Sequence, residues 1–191
     1  MRSLILASQS PRRKELLSEM GISFSVVSKA IEEHLREDLP LEKAVEYLAR
    51  EKAQAVFDEH PEHIVIGADT IVALNGRVFG KPVDRKEAKC MLQALSDHTH
   101  QVIGGVAILS KETCITFSSK TNVQFYRLNE EEIDAYIQSG EPMDKAGAYG
   151  IQGLGKRFVK GIEGDYFNVV GLPIARLMRI LETLPDPISE E

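Results

Sequence analysis

The chain has 191 residues, 43% hydrophobic and 27% charged, with 29 acidic against 23 basic side chains and a formal net charge of −6. That length supports one hydrophobic core or two lobes sharing one, and the composition is too apolar for disorder. The charge disfavours non-specific nucleic-acid binding, and no apolar run nears the roughly 18 residues of a membrane span, so a cytoplasmic protein is expected.

Leu4-Ile5-Leu6-Ala7 reads as a short buried strand that runs into Ser8-Gln9-Ser10-Pro11. Ser10 suits an N-cap and Pro11 the first helical turn. The helix is expected from Arg12 to about Met20, with Gly21 as its stop. A strand over Ile22–Val27 precedes an acidic stretch with Glu32 and Glu33. From about Leu41 to Phe57 the spacing predicts an amphipathic helix. Leu41, Val45, Leu48 and Val56 share one face, and Glu42, Glu46, Arg50 and Glu51 face away. Lys52 falls near the middle of the apolar stripe.

Ile64–Ala68 reads as a strand broken by Asp69-Thr70 and resumed over Ile71–Leu74. Asn75-Gly76 is the strongest hairpin signal, turning back into Arg77-Val78-Phe79. Asp84, with Glu87 three residues on, opens a helix carrying Ala88, Met91, Leu92 and Leu95. Strands are expected near Gln101–Leu109 and Thr116–Tyr126, the second alternating Thr121, Val123, Phe125 against Asn122, Gln124, Tyr126. Asn129 and Glu132 cap a helix that ends near Gly140. Seven glycines from Gly147 to Gly171 call for tight turns or close backbone approach. A helix from Pro173 to about Leu184 precedes a polar tail from about residue 185. Helices interspersed with strands, plus a hairpin, indicate an α/β fold on a mixed sheet.

Several groups could carry chemistry. Ser8, Ser10, Arg12 and Arg13 lie at a strand-to-helix turn, where free N–H groups and the helix dipole favour an anion. A capped surface helix with solvated arginines is the plainer reading, and the Walker spacing is absent. Asp69 follows five apolar residues, so its charge needs a metal ion or a lysine, unless it is a turn residue. Lys52 either snorkels to water or projects into a polar cleft. Lys81 sits in a constrained Gly-Lys-Pro loop. Glu32 and Glu33 are hard oxygen donors suited to magnesium or manganese, though paired loop acids are usually just solvated. His98 and His100 read as a structural turn. Cys90 and Cys114, far apart and outside any CxxC spacing, read as reduced thiols.

Ser8-Gln9-Ser10-Pro11-Arg12-Arg13, Gly67-Ala68-Asp69-Thr70, Gly80-Lys81-Pro82, the run Glu141 to Gly153, and Gly164-Asp165-Tyr166 through Pro173 together resemble the Maf family, named for septum-formation inhibition. The likeness runs from about residue 3 to about 180 with the motifs in order. It implies a metal-dependent nucleoside-triphosphate pyrophosphatase of the dTTP/UTP type, releasing monophosphate and pyrophosphate. The implied fold is a single domain, an elongated mixed α/β structure with a deep cleft between two lobes, similar to the inosine-triphosphate pyrophosphatases. The resemblance makes Asp69 the catalytic acidic residue and Arg12, Thr70 and Gln152 the positions that tune base preference. Substrate would be bound by Ser8, Ser10, Arg12, Arg13, Lys52, Thr70, Lys81, Lys145 and Gln152, and a magnesium or manganese ion by Glu33 and Asp69. The expected partners are the nucleotide and, where the chain pairs with itself, a second copy in a homodimer, with neither nucleic acid nor membrane. A nucleotide-binding regulator of division without turnover is the alternative.

Overall fold

The computed structural model describes residues 3–184, so the expected polar tail lies outside the described residues. In chain order the elements are β1 (Leu4–Ala7), α1 (Pro11–Ser18), β2 (Phe24–Val26), α2 (Leu41–Phe57), β3 (Ile64–Leu74), β4 (Arg77–Phe79), α3 (Arg85–Leu95), β5 (Thr99–Leu109), β6 (Cys114–Phe125), α4 (Glu130–Gln138), β7 (Val159–Glu163), α5 (Tyr166–Val170) and α6 (Ile174–Leu181). Three short 3-10 turns, Glu141–Asp144, Ala146–Ala148 and Gly153–Phe158, link α4 to β7. The sheet has seven strands in the order β2-β1-β3-β5-β6-β7, with β4 paired to β3. It is mixed, as expected: β1 runs parallel to β2 and β3, while β4 and β7 run antiparallel to β3 and β6. No helix among the described residues is long and apolar enough to cross a membrane.

The chain divides into two compact units. Among the described residues the first takes 3–69, 104–119 and 171–184, and the second takes 70–103 and 120–170. In the first unit Ile5, Ala7, Val65, Ala107 and Leu109 of the strands pack with Ala49, Ala53 and Val56 of α2. Two glycines permit this. A Cβ on Gly67 would lie 2.2 Å from the Ala49 carbonyl oxygen, and one on Gly105 would lie 2.4 Å from that of Val45. Helix α2 therefore sits on the sheet backbone to backbone, its small residues inward. Its buried arc is wider than the leucine and valine stripe suggests, and Glu46, expected to face away, is only 6% exposed. Lys43 Nζ, Thr116 Oγ1 and Ser118 Oγ donate to its carboxylate at 2.9, 3.1 and 2.9 Å. Burial raises the pKa of Glu46, but these partners outweigh it and hold the group below its ordinary value.

The second unit has a larger aromatic core, with Phe79, Leu92, Phe125, Tyr136, Tyr149 and Phe158 buried together. Asn75 adopts a positive φ of 51° in the expected two-residue hairpin, which pairs Leu74 with Arg77. Asp84 caps α3 by accepting the Glu87 N–H, and Asn129 with Glu132 forms a complete capping box on α4.

Several expectations change. Strand β3 is unbroken through Asp69-Thr70, because strand geometry tolerates a polar pair wherever its side chains find partners. Ser10 occupies the N-cap position of α1 without a side-chain cap. The Ser8 hydroxyl accepts the Ser10 N–H instead, at 3.3 Å. His98 and His100 do not form a shared turn: His98 precedes β5, and His100 lies buried within it. Strand β7 and helix α5 carry no clear periodic pattern in the sequence.

His100 Nε2 stands 2.7 Å from the Tyr149 hydroxyl, with the Phe125 and Tyr149 rings edge-on to the imidazole. Burial pushes its pKa down to about 4. The unfolded chain takes up that proton near 6.5, so between those values the unfolded state binds more protons and stability falls as pH falls. Denaturation should show a loss of about 2–3 kcal/mol from this group between neutral pH and pH 4, flattened in His100→Gln. Identical pH profiles for the two proteins would contradict this.

Candidate functional site

Strand β1 ends at Ala7, and the turn that follows hands Ser8 to the start of α1. Arg13, in the first turns of α1, points back over this turn. Its Nε donates to the Gly171 carbonyl at 2.8 Å, and its Nη1 to the Ala68 carbonyl at 2.8 Å and the Ser8 hydroxyl at 3.1 Å. These contacts use three of the five guanidinium N–H donors. Arg13 thus acts first as a staple joining β1, the middle of β3 and the start of the 171–173 turn. Burial lowers its pKa, opposed by the negative charges of Asp69 and Glu33 and reinforced by Arg12. Arg12 and Ser10 are half-buried beside it in sequence.

The first unit also holds Asp69. Strand alternation puts Asp69 on the same face as Gly67, the face that α2 covers. Because Gly67 lets α2 come in, Lys52, one turn from Ala49, reaches Asp69: Nζ lies 2.6 Å from Oδ1. The same ammonium lies 3.0 Å from Glu33 Oε1. Lys52 and Asp69 are 16% and 12% exposed at their side chains, whereas Glu33 is 52% exposed. Lys52 therefore does not snorkel away from the apolar stripe. It bridges two carboxylates, one buried and one reaching in from the 27–40 loop. Glu32 points elsewhere, exposed and 3.4 Å from His34 Nε2.

The second unit carries Thr70, Lys81, Lys145 and Gln152. Thr70 follows Asp69 on β3 and is half-buried. Lys81 is exposed and follows Gly80, whose carbonyl accepts the Gly147 N–H at 3.0 Å, so its loop is tied to the 146–148 turn. Lys145 is 13% exposed and donates to the Glu141 carbonyl at 2.5 Å and to Asp144 Oδ1 at 2.7 Å. Gln152 is half-buried at the N-cap of the Gly153–Phe158 turn, and its side chain does not cap it.

Glu33 and Asp69 present carboxylate oxygens to one cation-sized point, 3.0 and 2.6 Å from the ammonium that stands there. Two hard anionic oxygens converging on a cation suit magnesium or manganese, so the donor chemistry fits such an ion. His60, Glu62 and His63, on the turn between α2 and β3, form a separate grouping of potential ligands.

The sequence reading missed Glu46 and Glu141. Glu46 is hidden in the sequence because Ala49 and Ala53, which complete the inward face of α2, leave only a weak apolar mark. Glu141 lies between Gly140 and Pro142, where no periodic pattern gives it a direction.

The family described as Maf-like protein has a model that matches residues 3–184. A dTTP/UTP pyrophosphatase of Bacillus pumilus (strain SAFR-032) is 52% identical over 183 residues, covering 96% of this chain and 97% of that protein. Another dTTP/UTP pyrophosphatase, of Bacillus cereus (strain G9842), is 54% identical over 182 residues, covering 95% of each. Among solved structures, a HAM1 protein from Coxiella burnetii aligns with a TM-score of 0.53 at 16% identity, covering 96% of this chain and 100% of that one, a likeness of fold.

The close approach at Gly67 can be tested directly. Gly67→Ala should cost about 1–3 kcal/mol in chemical denaturation, since the added methyl meets helix backbone rather than a movable side chain. Gly161→Ala, whose Cβ meets nothing within 4 Å, should change stability by less than about 0.5 kcal/mol. Equal effects at the two positions would mean that α2 does not rest on Gly67.

Proposed function

Because the chain belongs to the family of Maf-like proteins, we propose that it is a nucleoside-triphosphate pyrophosphatase acting on dTTP and UTP. The products are the monophosphate and pyrophosphate. The observation that carries this reading is the Lys52 ammonium shared between Asp69 and Glu33. A buried carboxylate with a cation at hydrogen-bond distance can accept a proton from water beside an anionic phosphorus centre, and the cation limits the repulsion between them.

In this reading Asp69 accepts the proton of the attacking water at Oδ1 or Oδ2. Lys52, on a flexible stem that can leave the carboxylates for an arriving phosphate, lends positive charge to the phosphate oxygens as negative charge builds on them. Glu33 and Asp69 would hold a divalent ion, which supplies further charge neutralisation to the triphosphate. Arg13 keeps the Ser8–Arg12 turn closed through its three scaffold bonds, so the turn's N–H groups and Arg12 are pre-set for phosphate. The family resemblance adds Lys81 and Lys145 as further substrate-binding positions. Base preference falls to Arg12, Thr70 and Gln152, as the family resemblance implies. The cytoplasm, where free nucleoside triphosphates are held, is the setting this activity needs.

The test is product analysis with dTTP and UTP in magnesium, with and without excess chelator. Monophosphate and pyrophosphate, lost with chelator, are expected. Diphosphate with orthophosphate, or no turnover, would contradict the proposal. Asp69→Asn should lower turnover about 10²-fold or more while nucleotide still binds by calorimetry. Wild-type turnover in a folded Asp69→Asn protein would remove Asp69 from the chemistry. Lys52→Met should keep the fold and lose rate, and manganese should bind it at least as tightly as it binds the parent, because the competing ammonium is gone. Weaker manganese binding would show that Lys52 does not occupy the cation position.

A further inference from the structure

The stretch carrying Gln152 is held from one side by a single carboxylate. Glu141 follows α4, in the first 3-10 turn. Its Oε1 accepts the Tyr136 hydroxyl at 3.0 Å and the Gly155 N–H at 3.2 Å, and its Oε2 accepts the Leu154 N–H at 2.9 Å. The Tyr136 hydroxyl in turn accepts the Gly150 N–H at 3.2 Å. One carboxylate and one phenol thus fix the backbone on both sides of Gln152, at Gly150 and at Leu154-Gly155.

The fit leaves no room for a side chain at Gly155 and strains one at Gly153. Gly153 has φ +64°, and a Cβ there would lie 2.6 Å from Glu141 Oε2. A Cβ on Gly155 would lie 2.5 Å from the Gly150 carbonyl oxygen and 2.8 Å from the Tyr136 hydroxyl. The remaining side of Gly150 is filled by the stem of Lys145, whose Cε would meet an added Cβ at 2.9 Å. Lys145 is itself tied to the Glu141 carbonyl. Burial raises the Glu141 pKa, but the Leu154 and Gly155 N–H groups and the Tyr136 hydroxyl outweigh it, so the group stays ionised below its ordinary range. Gln152 itself makes no capping bond, so its amide is presented by this frame rather than used within it.

We propose that Glu141 is a positioning residue for base selection: its carboxylate fixes the 150–155 backbone so that the Gln152 amide stands at one place to read a pyrimidine edge. This rests on the reading of Gln152 as a base-contacting residue. A carboxylate is needed because both of its oxygens accept from backbone N–H groups. A glutamine amide would turn an NH2 toward one of them and leave a donor facing a donor.

The test uses Glu141→Gln and Tyr136→Phe beside the parent and Gln152→Ala. Amide exchange over 150–155 reports the frame, the ratio of kcat/KM for UTP over CTP and GTP reports selection, and competition by inorganic pyrophosphate reports the base-free phosphate site. Glu141→Gln should speed exchange over 150–155 and lower the selectivity ratio about tenfold, the effect of losing one charge-assisted hydrogen bond. Pyrophosphate competition should stay within about twofold, because no base is involved. Should Glu141→Gln fail to fold, Tyr136→Phe carries the same expectation with a smaller change. Selectivity lost in Gln152→Ala but intact in Glu141→Gln would overturn this inference alone. An equal loss of rate on every nucleotide would also overturn it, leaving Glu141 a stability contact. Selectivity that survives Gln152→Ala would overturn the reading of Gln152, and this inference with it.

Discussion

Helix α2 lies against the sheet with its backbone touching strand backbone, and two missing Cβ atoms make this possible. At Gly67 and Gly105 any side chain would enter the carbonyl groups of Ala49 and Val45. From this single contact follow the position of Lys52 over Asp69 and that of Glu46 over the hydroxyls of Thr116 and Ser118. A helix about a methyl's width further out would leave both charges short of their partners. Buried charges without partners are costly, so the approach of α2 and the pairing of its charges reinforce each other.

The polar groups of the first unit divide the labour. Arg13 bonds to two backbone carbonyls and a serine hydroxyl, and so fixes where β1, β3 and the 171–173 turn meet. Lys52 by contrast contacts two carboxylates, side chains that can change partner without disturbing the backbone scaffold. An arginine committed to backbone is a poor candidate for such an exchange; a lysine on a flexible stem, shared between one buried and one half-exposed acid, is a good one. The second unit repeats this pattern with opposite sign. There the Glu141 carboxylate is committed to two backbone N–H groups and the Tyr136 hydroxyl, beside the Gln152 amide proposed to read the base.

Much of the fold was legible because local signals and tertiary packing agree. The Asn75-Gly76 hairpin, the Asp84 and Asn129 caps, and the full span of α2 stand where turn chemistry and periodicity place them. Asp69 and Lys52 were legible as anomalies, a charge after an apolar run and a charge on an apolar face, but their pairing was not. It depends on Gly67, whose role is visible only once α2 is laid on β3. Glu33 over Glu32 depends on which way an irregular loop turns, and no periodicity governs that. Glu46 was misplaced because burial against serine and threonine leaves no apolar mark on the helix. The glycines between 147 and 171 announced turns without saying which carboxylate would hold them.

The central claim is that Lys52 and Asp69 work as one unit on the triphosphate. A double-mutant cycle in kcat/KM for dTTP, with Lys52→Met and Asp69→Asn made singly and together, tests it most directly. If the two act together, the double variant should be scarcely worse than the weaker single one, a coupling well beyond about 0.5 kcal/mol. Losses that simply add would contradict the claim and leave Lys52 and Asp69 as neighbours with separate roles.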